Sequence, residues 1–206
     1  MNPQPHTVAR SELILGGQKS GKSRRAETLA VAWLHAAPQH QAVLIATAEA
    51  GDAEMQARIA RHQQDRALRV PAMRTVEEPL SLATAIATHA DAQTLVVVDC
   101  LTLWLTNLLM PASTTAHPPI HAPANSSAQQ AIADLLQAID ACPGPLVLVG
   151  NEIGLGVIPM GAQVRAFVDA LGRLNQDVAR VCQRVTFMAA GLPLTMKDVK
   201  DVKDLS

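Results

Sequence analysis

Hydrophobic and polar positions along this chain fall into two alternating kinds of segment. Short, nearly unbroken apolar runs occupy Glu12–Leu15, Ala42–Ala46, Thr94–Asp99, Pro145–Val149 and Val185–Ala189. Continuous apolarity of that length predicts strands covered on both faces. A shorter stretch, Thr75-Val76-Glu77-Glu78-Pro79, predicts an edge strand and turn. Between the runs the apolar period lengthens to that of a helix. Gly21 to Ala36 carries Ala26, Leu29, Ala30 and Trp33 on one stripe, with Pro38 closing the segment. Asp52 is placed as an N-cap for a helix reaching Arg66. Pro79 is the expected start of a helix through Leu80, Leu82, Ala83, Ile86 and Ala87. Further helices are predicted through Leu101, Trp104, Leu105 and Leu108, over Ala128–Ala141, and from Ala162 to Gln183. The last shows Val164, Val168, Leu171, Leu174, Val178 and Val181 on one stripe. Strands alternating with helices predict a mostly parallel α/β sheet with ligands at the carboxyl ends of the strands.

The pattern lapses in three places. Residues 1–10 read as a loose tail, 111–127 as an irregular loop rich in Pro, Ala, Ser, Thr and His, and 197–206 as a charged tail. The body from 11 to 196 is the size of one domain.

Composition removes several classes of function. The net charge is −1 and no basic stripe appears, so a nucleic-acid surface is not expected. There is no Tyr, which argues against an aromatic platform for single strands. No apolar run is long enough to span a bilayer, and Met1–Arg10 lacks the pattern of a signal peptide. Cys100, Cys142 and Cys182 are odd in number and far apart, which fits reduced thiols in a cytoplasmic protein.

The first apolar run leads into Gly16-Gly17-Gln18-Lys19-Ser20-Gly21-Lys22-Ser23. This is the G-x-x-x-x-G-K-S/T phosphate loop, flanked by a strand and a helix as the motif requires. Backbone N–H groups and the positive helix terminus can wrap a polyphosphate, Lys22 can reach the β- and γ-phosphates, and Ser23 can hold Mg²⁺. The fold expected is therefore a single P-loop NTPase-type (RecA-like) domain with helices on both faces of the sheet. Asp99 ends an apolar strand, where such enzymes carry a second Mg²⁺-holding acid; otherwise it would be a strand-end carboxylate capping the next helix.

His62 has two readings. Met55, Ile59 and His62 fall on one side of the predicted helix, as a core stripe would. Arg58, His62 and Arg66 also form a basic row, in which neighbouring guanidiniums favour a neutral, nucleophilic imidazole. The residues alone leave both open. His6, His35, His40, His89, His117 and His121 fall in tails, turns, helix ends or the loop, and solvated positions are expected for them. Asn151-Glu152, followed by Gly154 and Gly156, comes directly after a strand, at the sheet edge where ligands bind. The Asn-Lys-x-Asp guanine reader of switch GTPases is absent.

Several blocks together resemble one family. They are Leu15–Arg24, Ile45–Ala48, Asp52–His62, Thr75–Leu80, Thr106–Leu109, Val149–Pro159 and Gly172–Gln176. In this order they resemble the bifunctional adenosylcobinamide kinase and adenosylcobinamide-phosphate guanylyltransferase of cobalamin biosynthesis. The resemblance implies phosphorylation of the aminopropanol hydroxyl of adenosylcobinamide by ATP or GTP. The adenosylcobinamide phosphate then receives GMP from GTP, through a guanylylated histidine that matches His62. It further implies nucleotide contacts at Gly16 through Ser23, at Ala46, Thr47 and Ala48, at Gln63, Gln64, Asp65 and Arg66, and at Glu77 and Asp99. Mg²⁺ would be held at Ser23 and Asp99. Homo-oligomers, trimers where known, are implied as well. Ala48 stands where a small hydroxyl residue or glycine is common, and the His62–Glu77 interval is longer than usual, which makes Glu78 the alternative to Glu77. The rival readings are a P-loop kinase of another small metabolite and a nucleotide-dependent regulatory protein.

Overall fold

A computed structural model describes residues 7–49, 53–110 and 124–199. The strands are β1 (Ser11–Gly16), β2 (Gln41–Ala46), β3 (Met73–Glu77), β4 (Thr94–Asp99), β5 (Leu146–Val149), β6 (Arg184–Ala189) and β7 (Leu192–Asp198). The helices are α1 (Lys22–Ala36), α2 (Ala53–Arg69), α3 (Leu82–His89), α4 (Leu101–Leu109), α5 (Ala124–Ala141) and α6 (Ala162–Val181). The strands form one sheet in the order β3-β2-β4-β5-β1-β6-β7. All neighbours pair parallel except β6 and β7, which are antiparallel.

The unbroken apolar runs are explained by cover on both faces of the sheet. Leu13, Leu15, Val96, Val98, Leu146 and Leu148 point into a core shared with α3, α4, α5 and α6. Their alternating neighbours Ile14, Leu95, Val97, Val147 and Val149 pack beneath α1 through Ala26, Leu29 and Ala30. Because side chains alternate along a strand, one run supplies both cores.

Beyond strand ends that shift by one or two residues, as at β3, which starts at Met73, the main departures from the sequence pattern are five. The expected helix start at Pro79 is corrected to Leu82, because the Glu78 carboxylate accepts the backbone N–H groups of Leu80 and Ser81 and holds a turn before the helix. Helix α2 continues three residues past Arg66, to Arg69, which pairs with Glu27 of α1 and with Asp65. Helix α5 starts at Ala124, within the stretch expected to be loop. Helix α6 stops at Val181, and Val164 in its first turn is exposed rather than part of the buried stripe. The strand β7 was not expected, and it takes in Lys197 and Asp198 from the predicted tail. Pro193 within it argues against a central strand, but an edge strand tolerates proline. Lys197 is not frayed: its Nζ donates to the carbonyls of Ala179, Arg180 and Cys182 at the end of α6. The proposed Asp52 cap lies outside the described residues.

The strand β1 also carries a wholly buried charge. Glu12 accepts hydrogen bonds from Arg25 Nε at 2.9 Å and Thr186 Oγ1 at 2.7 Å, and pairs with Arg184. This network ties β1, α1 and β6 together just below the phosphate loop. His40 is not simply solvated either: it stacks on Trp33, with ring centroids 3.7 Å apart. The three cysteines are buried free thiols, and loss of hydration raises Cys100 to about 11 and Cys182 to about 12.

Candidate active site

The phosphate loop leaves β1 at Gly16 and enters α1 at Lys22. Gly16 has φ 151°, and a Cβ there would lie 2.4 Å from Met188 O, so the tight turn against β6 admits only glycine. Gly21 has φ 102° and passes the β6–β7 turn so closely that a Cβ would lie 3.2 Å from Gly191 Cα. Gly191 N in turn donates to Ser20 O at 3.0 Å. The hairpin that the sequence did not reveal is thus the outer brace of the loop. Gly17, Gln18 and Lys19 are exposed at its crest. Helix α1 begins with no side-chain cap and no acidic residue in its first turn. Its first N–H groups and positive dipole end are available to an anion.

Lys22 is buried, and its Nζ donates to Gly17 O at 2.6 Å, folded back across the loop. Ser23 Oγ donates to Asp99 Oδ2 at 3.1 Å. The motif serine and the strand-end acid, 76 positions apart in the chain, therefore meet at the top of the sheet. A hydroxyl and a carboxylate in contact under an uncapped helix terminus form a donor set of the hard-oxygen kind that suits Mg²⁺. No cluster of three or more His, Cys, Asp or Glu side chains with metal-binding geometry occurs among the described residues.

The other predicted contacts separate into two groups. Ala46 ends β2 beside Asp99 of β4, and Ala48 follows it at the same edge. Thr47 between them is completely buried; its hydroxyl donates to Cys100 O at 2.7 Å and accepts from Cys100 N at 2.9 Å. Its N–H donates to Asp99 O and its carbonyl accepts from Asn107 Nδ2. Thr47 is thereby occupied in joining the ends of β2 and β4, and its neighbours present the surface. Across β2, Glu77 ends β3 and accepts a hydrogen bond from Gln63 Nε2 of α2 at 3.4 Å. Glu77 is exposed whereas Glu78 is committed to the turn before α3, so the geometry favours Glu77 as the residue available to a ligand. On α2, Gln64 is exposed, Asp65 pairs with Arg69, and Arg66 is buried with no partner for its Nε among the described residues. His62 lies on the same helix, one residue before Gln63.

A family model described as cobinamide kinase / cobinamide phosphate guanyltransferase matches residues 12–196. The chain belongs to this family. The "Bifunctional adenosylcobalamin biosynthesis protein CobP" of Pseudomonas aeruginosa is 47% identical over 187 residues, covering 90% of this chain and 96% of the relative. Proteins named "Bifunctional adenosylcobalamin biosynthesis protein CobU" from Salmonella typhimurium and Escherichia coli are 35% and 33% identical, each covering 90% of this chain and 98% of the relative. A solved ATPase domain superposes with a TM-score of 0.54 at 11% identity, over 94% of this chain and 79% of that one. That likeness concerns the fold alone, and it agrees with the P-loop architecture.

Several residues that shape this cobinamide kinase and guanyltransferase family site drew no role from sequence. Asn107 Nδ2 bridges Thr47 O and Pro79 O, tying the β2 and β3 exits to α4. Thr102 Oγ1 accepts from Asn151 N, and Asn175 Nδ2 donates to Asn151 O. The available signal was a polar residue inside an otherwise apolar helical stripe, as Asn107 is in Leu101–Leu109 and Asn175 in α6. A buried amide needs partners, so such interruptions mark places where a helix is pinned to a strand end.

Proposed function

We propose that this chain phosphorylates adenosylcobinamide with ATP or GTP and then transfers GMP from GTP to adenosylcobinamide phosphate, giving adenosylcobinamide-GDP and pyrophosphate. The observation that carries this reading is the family match across residues 12–196, which takes in both the phosphate loop and the helix bearing His62.

In the first transfer the loop amides and the α1 terminus hold the triphosphate. Lys22 exchanges its Gly17 carbonyl for phosphate oxygens, the charge-assisted bond being the stronger. Ser23 and Asp99 would hold Mg²⁺, which supplies neutralising charge to the phosphates when bound. In the second transfer a neutral His62 nitrogen bonds to the α-phosphorus of GTP while the bond to pyrophosphate breaks. A phosphate oxygen of the cobinamide substrate then bonds to the same phosphorus and the P–N bond breaks, returning the imidazole. Gln63, Gln64, Asp65, Arg66 and Glu77 would contact the nucleotide around this centre, with Ala46, Thr47 and Ala48 forming the adjacent wall. Thr47 serves there through its neighbours.

We further infer a cytoplasmic homo-oligomer, with a trimer as the state that the family resemblance implies. Buried free thiols agree with a reducing compartment, and no helix among the described residues is long and apolar enough to cross a membrane. The test of the whole reading is direct. Adenosylcobinamide, ATP, GTP and Mg²⁺ are incubated with the protein and the corrinoid products are resolved by mass. Conversion to the phosphate and then to the GDP ester is expected, with pyrophosphate beyond one equivalent per protein released only as the ester forms. Nucleotide turnover without any corrinoid product would refute it.

A further inference from the structure

The Asn151-Glu152 pair after β5 has no part in the scheme above, yet the fold fixes it in the middle of the crevice. The sheet order sets β5 between β4, which ends in Asp99, and β1, which ends in the phosphate loop. Glu152 N donates to Gly16 O at 3.1 Å, so the residue is bonded directly to the first glycine of the loop. The preceding residue is held twice more, by Thr102 Oγ1 at 2.9 Å and by Asn175 Nδ2 at 3.1 Å. Gly150 admits this path, since a Cβ there would lie 3.0 Å from Leu15 Cδ2 and 3.3 Å from Asn175 Oδ1. The carboxylate is itself oriented. Its Oε1 accepts Gly154 N at 2.8 Å, while Oε2 takes no hydrogen bond within the described residues.

The other described carboxylates at this edge are either bonded or placed on strands farther from the loop. Asp99 receives Ser23, Glu78 holds the turn before α3, and Glu77 faces Gln63 on the outermost strand. Glu49 follows β2, on the far side of β4 from the loop, and is exposed. Directly beyond Glu152 the chain turns outward with Leu155, Val157, Ile158 and Met160 each at least 78% exposed. An exposed apolar stretch of this kind marks an interaction surface, and it begins three residues beyond Glu152.

We propose that Glu152 is the general base of the phosphoryl-transfer step and takes no part in guanylylation of His62. The inference rests on the functional reading above. As the acceptor hydroxyl oxygen bonds to the γ-phosphorus, its proton passes to Glu152 Oε2. The bond from the γ-phosphorus to the bridging oxygen breaks, and that electron pair leaves with the nucleoside diphosphate. Glu152 later returns the proton to water. Proton acceptance by a positioned carboxylate contributes about a hundredfold or more.

The experiment measures corrinoid phosphorylation and protein labelling by α-labelled GTP in the native protein, Glu152→Gln and Glu152→Asp. Glutamine keeps an oxygen for Gly154 N but cannot accept the proton, so it separates chemistry from scaffolding. Expected for Glu152→Gln is a kcat for phosphorylation lowered about a hundredfold, with KM for the nucleotide and the rate of protein labelling little changed. Glu152→Asp recovers part of kcat. Phosphorylation by Glu152→Gln at a near-native kcat, or parallel loss of phosphorylation and labelling in both variants, overturns the assignment. A native protein with no corrinoid phosphorylation would instead overturn the functional reading itself.

Discussion

The phosphate loop and helix α2 are held by very different means. The loop is clamped on every side: by Met188 O against Gly16, by Gly191 against Ser20 and Gly21, and by Glu152 N on Gly16 O. Beneath it runs the buried Glu12–Arg25–Arg184 network. Among the described side chains of helix α2, Ala53, Gln56, Ala57, Ala60, Arg61, Gln63 and Gln64 are exposed, while Arg66 is buried and Arg69 pairs with Glu27 at the far end. The contrast matches the two transfers proposed. Both need a triphosphate held in one place, and the rigid loop is their shared part. Only one needs a nucleophile that meets first GTP and then a corrinoid phosphate, and the residue proposed for it, His62, lies on α2.

Perturbing the shared part should therefore remove both activities, while perturbing α2 and its neighbours should divide them. The largest effect is expected from Lys22→Ala, which lowers both phosphorylation and guanylylation about a thousandfold in steady-state assays. Loss of one alone would end the idea of a common triphosphate site. Next, Glu12→Ala leaves the nearly buried Arg25 guanidinium without its carboxylate, while Arg184 keeps Asp198, and should cost about 3 kcal/mol in denaturant unfolding. An unchanged midpoint would mean that the network does not brace the loop. Gly16→Ala forces a Cβ onto Met188 O and should cost about 2 kcal/mol and weaken nucleotide binding. The smallest effect belongs to the α2 side. Glu77→Ala should raise KM for GTP in guanylylation about tenfold, the worth of one charge-assisted contact. The same variant should leave phosphorylation almost unaltered, and Glu78→Ala should instead lower stability through the lost turn before α3.

The same contrast explains what was legible from the chain. The loop motif is local: a strand, spaced glycines and Lys-Ser carry their own geometry, so Gly16–Ser23 could be read directly. Asp99 was legible because a strand-end acid in a parallel sheet has one place to be. The β6–β7 hairpin was not, since Pro193 speaks against a strand until the strand is known to lie at the edge. Glu12 was hidden because a single charge in an apolar run declares nothing until Arg25 and Arg184, far apart in sequence, converge on it. Thr47 shows a role that no sequence pattern declares. It sits in a block matched to nucleotide contact, and its N–H, hydroxyl and carbonyl also bond inside the protein. His62 depended on family likeness, because helical spacing alone served a core stripe and a nucleophile equally well.

The central claim is that His62 carries the guanylyl group between GTP and the corrinoid phosphate. Incubation of the native protein and of His62→Ala with α-labelled GTP and Mg²⁺ tests it most directly. The account predicts an acid-labile, alkali-stable label on the native protein, absent from the variant, while the variant still phosphorylates adenosylcobinamide. Label that persists in His62→Ala, or a native protein that makes adenosylcobinamide-GDP without ever becoming labelled, would contradict it.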